Sequence, residues 1–470
     1  MKIDSIDVEA AINNARELIN SETDLSPALR SSMEVLLLVM TLLFNRATLN
    51  SKNSSKPPSS DPNRLKSSRV NSGKPSGAQS GHVGKTLQRI DDPDEIEILS
   101  IDRRTLPKGQ YHQLGFETRQ VFDIDISRIV TEYQAEVLGN EQGQRFVAEF
   151  PEGVTKAVQY GNQIKAHAVY LSQYQLLPYN RIQAYFADQC QIPISEGSLF
   201  NFNLQAFKHL ADFEQISKDQ LAQASIAHAD ETGININGKR HWLHCASNPS
   251  WTHFYPHQKR GTEAMNEIGI LPRYQGILCH DHWKPYYRYN FTHALCNAHH
   301  LRELECAWEQ DQQSWAKEMQ QLLKTINQAV DDAGGSLTNK KAAVYRQQYR
   351  DLLKQAEIEC PPPDTPLGKA KRGRIKRSKA RNLLERLSNY EEDVLRFMGN
   401  QLVPFTNNLG ENDIRMTKVQ QKISGCFRSE QGAKIFCRVR GYLSTCRKHK
   451  VSASLALRLV FEGELPSFVQ

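Results

Sequence analysis

The chain has 470 residues and a formal net charge of +7 at pH 7. This length exceeds that of a usual single domain, so roughly two to four domains are expected. Nine cysteines are scattered without a Cys-x-x-Cys pair and no signal peptide opens the chain, which predicts a reducing cytoplasm. The longest apolar run, residues 35–44, is shorter than the about 20 residues that cross a bilayer, so no membrane role is expected.

Residues 1–49 predict an N-terminal leucine-rich helical region. Apolar side chains recur at helical spacing over residues 25–49, at Leu29, Met33, Leu36, Leu37, Met40, Leu43 and Phe44. Two interpretations stay open: the helix packs on its own domain or a partner, or it mediates self-association. Residues 50–86 are rich in Ser, Lys, Pro, Gly and Asn, and they predict a flexible basic linker.

Short apolar and polar stretches alternate over residues 87–150, as in Gln120 to Ile124, and predict a small β-rich module. Residues 155–215 predict a helix-turn-helix domain, with helices at 163–171 and 180–188 and a third helix that Ser195 caps. The face of the third helix would present side chains suited to base edges and phosphates: Ser198, Asn201, Asn203 and Lys208. The alternative is a three-helix packing unit that does not contact DNA.

Residues 220–300 predict the first part of an α/β catalytic core with an RNase H-like fold. Strands are expected at 225–230, 234–236, 240–246, 251–255, 276–281 and 293–297, with a short helix at 261–268. Asn237 and Gly238 are a strong signal for a two-residue hairpin turn between the second and third of these segments. Three meander strands, a helix and further strands are typical of an RNase H-like nuclease core.

Three acidic residues stand where such a core would bring them to one point. Asp230 and Asp281 end strand-like runs, and Glu411 follows the helix start signalled by Asn407 and Asn408. Converging carboxylates bind two divalent cations for phosphoryl transfer, because hard cations such as Mg²⁺ take oxygen ligands. Glu231 is expected to point to the opposite strand face and to be a poorer ligand.

The stretch from 301 to 400 is helical in character, is interrupted by three prolines at 361–363, and predicts an insertion between the last strand and the Glu411 helix. It contains a dense basic run of Lys369, Lys371, Arg372, Arg374, Lys376, Arg377, Lys379 and Arg381. This run is either a solvated segment or a phosphate-binding one. Residues 401–450 would complete the core, and residues 451–470 would form a C-terminal tail.

The Glu411 helix carries a row of cations behind its carboxylate. Arg415, Lys418 and Lys422 follow Glu411 at i+4, i+7 and i+11, so one helix face would hold a metal ligand and phosphate-binding side chains. The alternative is a solvated basic helix.

The chain resembles the transposases of the insertion-sequence-66 family over nearly its whole length. The resemblance is carried by Leu49-Asn50-Ser51-Lys52-Asn53-Ser54-Ser55-Lys56-Pro57-Pro58-Ser59-Ser60-Asp61, Asp230-Glu231-Thr232-Gly233 with His241-Trp242-Leu243, Cys296-x-Ala298-His299, Asn407-Asn408-x-x-Glu411-x-x-Ile414-Arg415 and Lys422-Ile423-Ser424-Gly425-x-Phe427-Arg428-Ser429. It implies a catalytic and metal-binding triad of Asp230, Asp281 and Glu411, with Mg²⁺ or Mn²⁺ as cofactor. It also implies binding of terminal inverted repeats, strand cleavage to a 3′ hydroxyl, and attack of that hydroxyl on target DNA.

Zinc is not expected. Members of the family usually carry a cysteine-ligated zinc site in the region of residues 87–150, but this chain has no cysteine before Cys190. A second group of possible ligands matches no closed site by its spacing: Cys279, His280, His282, Cys296, His299 and His300.

The function inferred from the sequence is a DNA transposase that acts on double-stranded DNA and forms a homo-oligomer. Accessory transposition proteins are further candidate partners, and the sequence leaves open whether they are required. One alternative is a DNA-binding repressor that has lost strand transfer, against which the intact acidic triad argues. A second is an assembly protein that uses the leucine-rich helix and would show no metal dependence.

Overall fold

The protein is described by a computed structural model for residues 2–3, 6–22, 24–50, 53–54, 61, 86–363 and 377–469. Most of the predicted linker at 50–86 lies outside these residues. So do Lys369, Lys371, Arg372 and Arg374, the four cations of the basic run that are the candidates for binding DNA phosphates.

Most strands lie between residues 226 and 295, and α-helices precede and follow them from residue 162 onward. The strands of the described part are β1 Lys2–Ile3, β2 Ile6–Asp7, β3 Val137–Gly139, β4 Arg145–Val147, β5 Ile226–Ile236, β6 Lys239–Ser247, β7 Thr252–His257, β8 Ile277–His280 and β9 Thr292–Leu295. The α-helices there are α1 Val8–Ser21, α2 Pro27–Thr48, α3 Asn162–Val169, α4 Tyr179–Cys190, α5 Glu196–His209, α6 Ala211–Ala222, α7 Thr262–Ile268, α8 Asn297–Asp311, α9 Ser314–Asp332, α10 Asn339–Glu359, α11 Lys379–Asn389, α12 Glu391–Leu395, α13 Asn408–Ser424, α14 Glu430–Lys448 and α15 Ala453–Glu462.

A mixed five-stranded sheet forms the centre of the fold, with strand order β7-β6-β5-β8-β9. The first three strands pair antiparallel, whereas β5 with β8 and β8 with β9 pair parallel. The hairpin turn predicted at Asn237 and Gly238 is confirmed. Both residues have positive φ (48° and 77°), which is the backbone conformation of two-residue turns whose twist matches that of the flanking strands.

The first strand is longer than the sequence indicated. The two short segments expected at 225–230 and 234–236 are one strand, β5, which continues through Asp230. Asp230 therefore does not end a strand. It lies just beyond the part of β5 that pairs with β8, since that pairing covers only residues 226–228.

Helix α13 packs on the sheet through a close approach at Gly410. A Cβ at this position would lie 3.3 Å from Asn407 Oδ1, which is tight, and 3.5 Å from the Cβ of His228, which is ordinary van der Waals contact. Apolar side chains of α13 and α14 complete this packing against β5 and β6, including Ile414 and Phe436. Phe427, just after α13, forms a bridge to Ile236 at the far end of β5.

Helices α8 to α12 lie between β9 and α13 in the chain, as predicted for the insertion, and α10 ends before the three prolines. Their apolar side chains share one core with β8 and β9, which includes Cys279, Leu295 and Trp315. The insertion also reaches the residue that follows Asp281, because the ring of Tyr390 packs at 4.5 Å from that of His282.

Helices α3, α4 and α5 form close to the predicted positions, and Ser195 caps α5 by accepting a hydrogen bond from the backbone N–H of Ser198. The first helix continues into a π-helical turn at Tyr170–Tyr174. These helices share a core with α14 and α15, so they are joined to the end of the chain rather than standing apart.

The region from 86 to 150 differs from the predicted β-rich module. It contains only the short antiparallel pair β3 and β4, and the strand expected at Gln120 to Ile124 does not form. None of residues 86–150 is buried, so the segment has no apolar core of its own to hold a sheet together.

The leucine-rich helix is confirmed as α2, with Ser26 as its cap. None of its residues is buried. By length and composition alone α2 is long and apolar enough to cross a bilayer, a test that core helices and signal sequences also pass. Its C-terminal end contacts α8, because the Gln310 amide donates to the carbonyl of Asn45. Self-association of this helix remains a prediction.

Candidate functional site

Asp230 and Asp281 come from two neighbouring parallel strands. The pairing of β5 with β8 ends at His228 and Cys279, Asp230 lies two residues beyond it on β5, and Asp281 directly follows β8. Both side chains are partly exposed. The carboxylate of Asp230 accepts the backbone N–H of Glu231 at 2.9 Å, and that of Asp281 accepts the backbone N–H of Trp283 at 3.1 Å.

Glu411 lies in the first turn of α13 and is brought to the two aspartates by the cap of that helix. The Nδ1–H of His228 donates to Asn407 Oδ1 at 2.7 Å, and Asn407 Nδ2 donates to the carbonyl of Ala229 at 2.9 Å. Two buried hydrogen bonds therefore fix the start of α13 on the strand that carries Asp230.

Burial and three neighbouring carboxylates act on the Asp230 carboxyl. Burial raises the pKa of the Asp230 carboxyl well above its usual range, and the charges of Glu231, Asp281 and Glu411 raise it further. Such mutual repulsion is relieved when a cation lies among the carboxylates. The donor set is all oxygen, which is the chemistry that Mg²⁺ and Mn²⁺ prefer.

Glu231 is not free to join this group. Its carboxylate accepts the Nε–H of Arg260 at 2.8 Å and the O–H of Tyr286 at 2.6 Å. Burial and the charge of Asp281 raise the pKa of Glu231, while Tyr286 and Arg260 oppose the rise. The guanidinium of Arg260 lies between two indoles, 4.8 Å from Trp242 and 4.2 Å from Trp283. Sequence reasoning gave Arg260 no role, because nothing local links it to Glu231.

A second group of possible ligand atoms lies beside Glu411. Cys296 Sγ lies 4.0 Å and His299 Nδ1 3.9 Å from Glu411 Oε1. Burial raises the pKa of the Cys296 thiol to about 11, although backbone N–H groups of Asn407, Ala298 and His299 oppose the rise. The spacing of Cys296 and His299 in the sequence was visible, but Glu411 is more than 100 residues away and only the fold adds it.

The three cations of α13 differ in their surroundings. Arg415 and Lys422 are exposed. Lys418 is half-buried, and its ammonium donates to the carbonyl of Gly233 at 3.0 Å and to Gln421 at 3.3 Å. Burial and the charge of Arg240 lower the pKa of Lys418. Only Arg415 and Lys422 of this set therefore stand free in solvent, and Lys418 belongs to the contact between helix and strand.

The four polar side chains assigned to the third helix, now α5, do not share one exposed face. Asn201 and Lys208 are exposed, and Ser198 is partly buried with its hydroxyl 3.0 Å from that of Ser195. Asn203 is only 1% exposed. Its amide donates to the carbonyl of Leu199 at 2.8 Å and accepts the hydroxyl of Ser172 at 2.9 Å, so its placement on a DNA-reading face is corrected to a place in the core.

Two family models match the chain. Residues 157–435, more than half of the chain, match the model described as "Transposase IS66 family". Residues 4–88 match a family of unknown function, DUF6444. No curated protein matches the chain.

Proposed function

Because the chain belongs to the IS66 family of transposases, we propose that it binds the terminal inverted repeats of a mobile element, cleaves DNA strands with divalent cations and joins the freed ends to target DNA. The observation that carries this proposal is that Asp230 and Asp281 come from neighbouring parallel strands, while Asn407 anchors the helix of Glu411 to the strand of Asp230. The strand order of the central sheet and the helical insertion before Glu411 support an RNase H-like core.

The candidate cofactor is Mg²⁺ or Mn²⁺, held by Asp230, Asp281 and Glu411. The fit rests on the all-oxygen donor set and on the raised pKa of Asp230, which burial causes first and the charges of Glu231, Asp281 and Glu411 increase. When bound, such cations activate the attacking oxygen and stabilise the leaving oxygen of a phosphodiester.

The protein's own groups would bind and orient the substrate. Arg415 and Lys422 are exposed on the helix of Glu411, where their charges would attract DNA phosphates. The hydrogen bond between Asn407 and His228 fixes the Glu411 helix. Arg260 binds the carboxylate of Glu231, which is therefore not available to bind a cation. These contacts preorganise the site, so little rearrangement is required when DNA binds.

Partners and location follow from the same proposal. We expect a cytoplasmic protein that acts on double-stranded DNA as a homo-oligomer, with accessory transposition proteins as further partners. Helix α2, whose apolar side chains are exposed, is the candidate for self-association. The repressor alternative is not favoured, since the three carboxylates and the anchor of the Glu411 helix are all present.

The proposal is tested by cleavage of a duplex that carries the element's ends. Asp230→Asn, Asp281→Asn and Glu411→Gln should each abolish cleavage in Mg²⁺ while end binding persists, because the carboxylates act through cations. Asn412→Ala, an exposed change on the same helix as Glu411, is the control and should cleave like the natural protein. Substantial cleavage by any of the three carboxylate variants removes that residue from the triad.

DNA binding is tested separately by a salt series. Replacing Lys369, Lys371, Arg372 and Arg374 should weaken binding equally for all sequences and flatten its salt dependence. Each lost phosphate contact removes about 0.9 from the slope of log K against log salt on B-DNA. Arg415→Ala should instead reduce cleavage more than binding, since Arg415 lies one turn from Glu411. An unchanged slope in the fourfold variant would assign the basic run to a solvated segment.

A further inference from the structure

Cys296, His299 and Glu411 form a compact set of metal-ligating atoms. The thiol sulfur, an imidazole nitrogen and a carboxylate oxygen all lie within 4.8 Å of one another. Cys296 directly precedes α8 and His299 lies in its first turn, whereas Glu411 comes from the first turn of α13. Two helix starts therefore meet at this point and bring three different ligand types together.

One of these atoms lacks a partner in the structure. His299 Nδ1 is buried and makes no hydrogen bond, and its nearest acidic oxygen, Oε1 of Glu411, is 3.9 Å away. A buried polar nitrogen without a partner costs free energy. A cation between the imidazole and the carboxylate would satisfy the nitrogen, because a metal accepts the lone pair that no donor occupies.

The sulfur of Cys296 accepts a hydrogen bond from the backbone, as metal-bound thiolates commonly do. The backbone N–H of Asn407 donates to Cys296 Sγ at 3.1 Å. Hydrogen bonds to a ligand atom orient it and tune its affinity for metal. Asn407 also fixes the start of the Glu411 helix, so one residue positions both the sulfur and the carboxylate.

The chemistry of the set selects the kind of ion. Thiolate and imidazole ligands favour Zn²⁺ and similar thiophilic ions, whereas Mg²⁺ takes oxygen ligands. We propose that Cys296, His299 and Glu411 bind one thiophilic divalent cation of the Zn²⁺ class. Binding releases the thiol proton to solvent and leaves at least one coordination position open to water.

Occupancy of this site would withdraw Glu411 from the Asp230 and Asp281 carboxylates, a consequence that rests on the proposed function. Zn²⁺ would then inhibit Mg²⁺-dependent cleavage, and excess Mg²⁺ would relieve the inhibition by competing for Glu411. The protein would thus cut DNA only when free Zn²⁺ is low.

The metal site is tested first by Co²⁺, which replaces Zn²⁺ and gives a thiolate-to-cobalt absorption band. Metal-free full-length protein should show this band on titration. Cys296→Ser should abolish it, and His299→Gln should weaken Co²⁺ binding by about tenfold or more. Cys426→Ser is the matched control, because Cys426 is the exposed cysteine of the described residues and the obvious adventitious ligand.

The band should persist unchanged in Cys426→Ser. Loss of the band in that variant, or its survival in Cys296→Ser, would overturn the site. Thermal unfolding without metal checks that each variant is folded. If Cys296→Ser fails this check, His299→Gln decides the matter: unchanged Co²⁺ affinity in that variant overturns the proposal.

The second measurement is cleavage in Mg²⁺ with added Zn²⁺, expressed for each variant as a ratio to its own rate without Zn²⁺. The natural protein should be inhibited, and inhibition should weaken by about tenfold or more in His299→Gln. Inhibition of equal strength in both proteins would overturn the competition. Absence of cleavage under all conditions would instead count against the proposed function, while the Co²⁺ titration would still decide the metal site.

Discussion

His228 and Asn407 are separated by 179 positions in the chain, yet His228 Nδ1 lies 2.7 Å from Asn407 Oδ1 in a buried hydrogen bond. The orientation of the Asn407 amide is fixed by its second bond, in which Nδ2 donates to the carbonyl of Ala229. His228 must therefore carry its proton on Nδ1. This pair is the joint between the strand of Asp230 and the helix of Glu411.

The first prediction concerns that joint. Asn407→Ala removes two buried side-chain hydrogen bonds and leaves their partners unsatisfied, so the free energy of unfolding should fall by about 2–4 kcal/mol. Cleavage should fall as well at temperatures where the variant is folded, because Glu411 loses its anchor. Denaturant unfolding and the cleavage assay measure the two effects. Asn412→Ala should stay within about 0.5 kcal/mol of the natural protein, and equal stability of the two variants would contradict the role of the joint.

A matched pair of asparagines on α5 separates DNA reading from packing. Asn201 is exposed, whereas Asn203 is buried and bonded to Leu199 and Ser172. Asn201→Ala should reduce the ratio of affinities for end and random duplexes with little change in stability. Asn203→Ala should lower the free energy of unfolding by about 1–3 kcal/mol. If Asn201→Ala leaves the affinity ratio unchanged, α5 does not read the sequence of the ends.

Two arginines contact the ring of Trp242, and their replacement should change the free energy of unfolding by unequal amounts. Arg260 and Arg240 both lie 4.8 Å from Trp242, but Arg260 also neutralises the buried carboxylate of Glu231. Arg260→Ala should lower the free energy of unfolding by about 2 kcal/mol, because Glu231 is left without its cation. Arg240→Ala should cost less than about 0.5 kcal/mol, since Arg240 is exposed.

A double-mutant cycle completes this test. Glu231→Gln in the Arg260→Ala background should recover part of the lost stability, because the uncompensated charge is removed. Strict additivity of the two changes would show that the pair does not interact.

Acid sensitivity is expected from His253. Burial lowers the pKa of His253 to about 3, and the nearby charges of Lys218 and Arg438 lower it further. The His253 imidazole of the unfolded chain takes up a proton as the pH falls through about 6.5, whereas that of the folded chain does so only near pH 3. The contribution of neutral His253 to the free energy of unfolding is therefore fully present above about pH 6.5. This contribution is lost as the pH falls from about 6.5 toward 3, at up to about 1.4 kcal/mol per pH unit for the one proton that His253 binds.

The measurement is the free energy of unfolding across this pH range. His253→Phe should reduce the slope by up to about 1.4 kcal/mol per pH unit, because one of several buried histidines with a lowered pKa is gone. His112→Phe, at an exposed position, is the control and should leave the slope as it is. An equal slope for His253→Phe and the natural protein would assign the acid sensitivity to other groups.

The sequence by itself determined the local elements and the residue types of the site. The turn at Asn237 and Gly238, the cap at Ser195 and the helix start before Glu411 depend on backbone preferences of a few neighbouring residues, and all three formed as predicted. The strand predicted around Gln120 did not form, because alternating apolar and polar residues make a strand only where a partner strand and an apolar core are present.

Tertiary structure alone decided which side chains meet. The sequence predicted that Asn203 shares an exposed helix face with Asn201, but in the structure Asn203 is buried and bonded to Ser172 and Leu199. The same holds for Arg260 beside Glu231 and for the meeting of Cys296 with Glu411. Such contacts join distant parts of the chain, and their geometry depends on how helices and strands pack on one another, which no local pattern specifies.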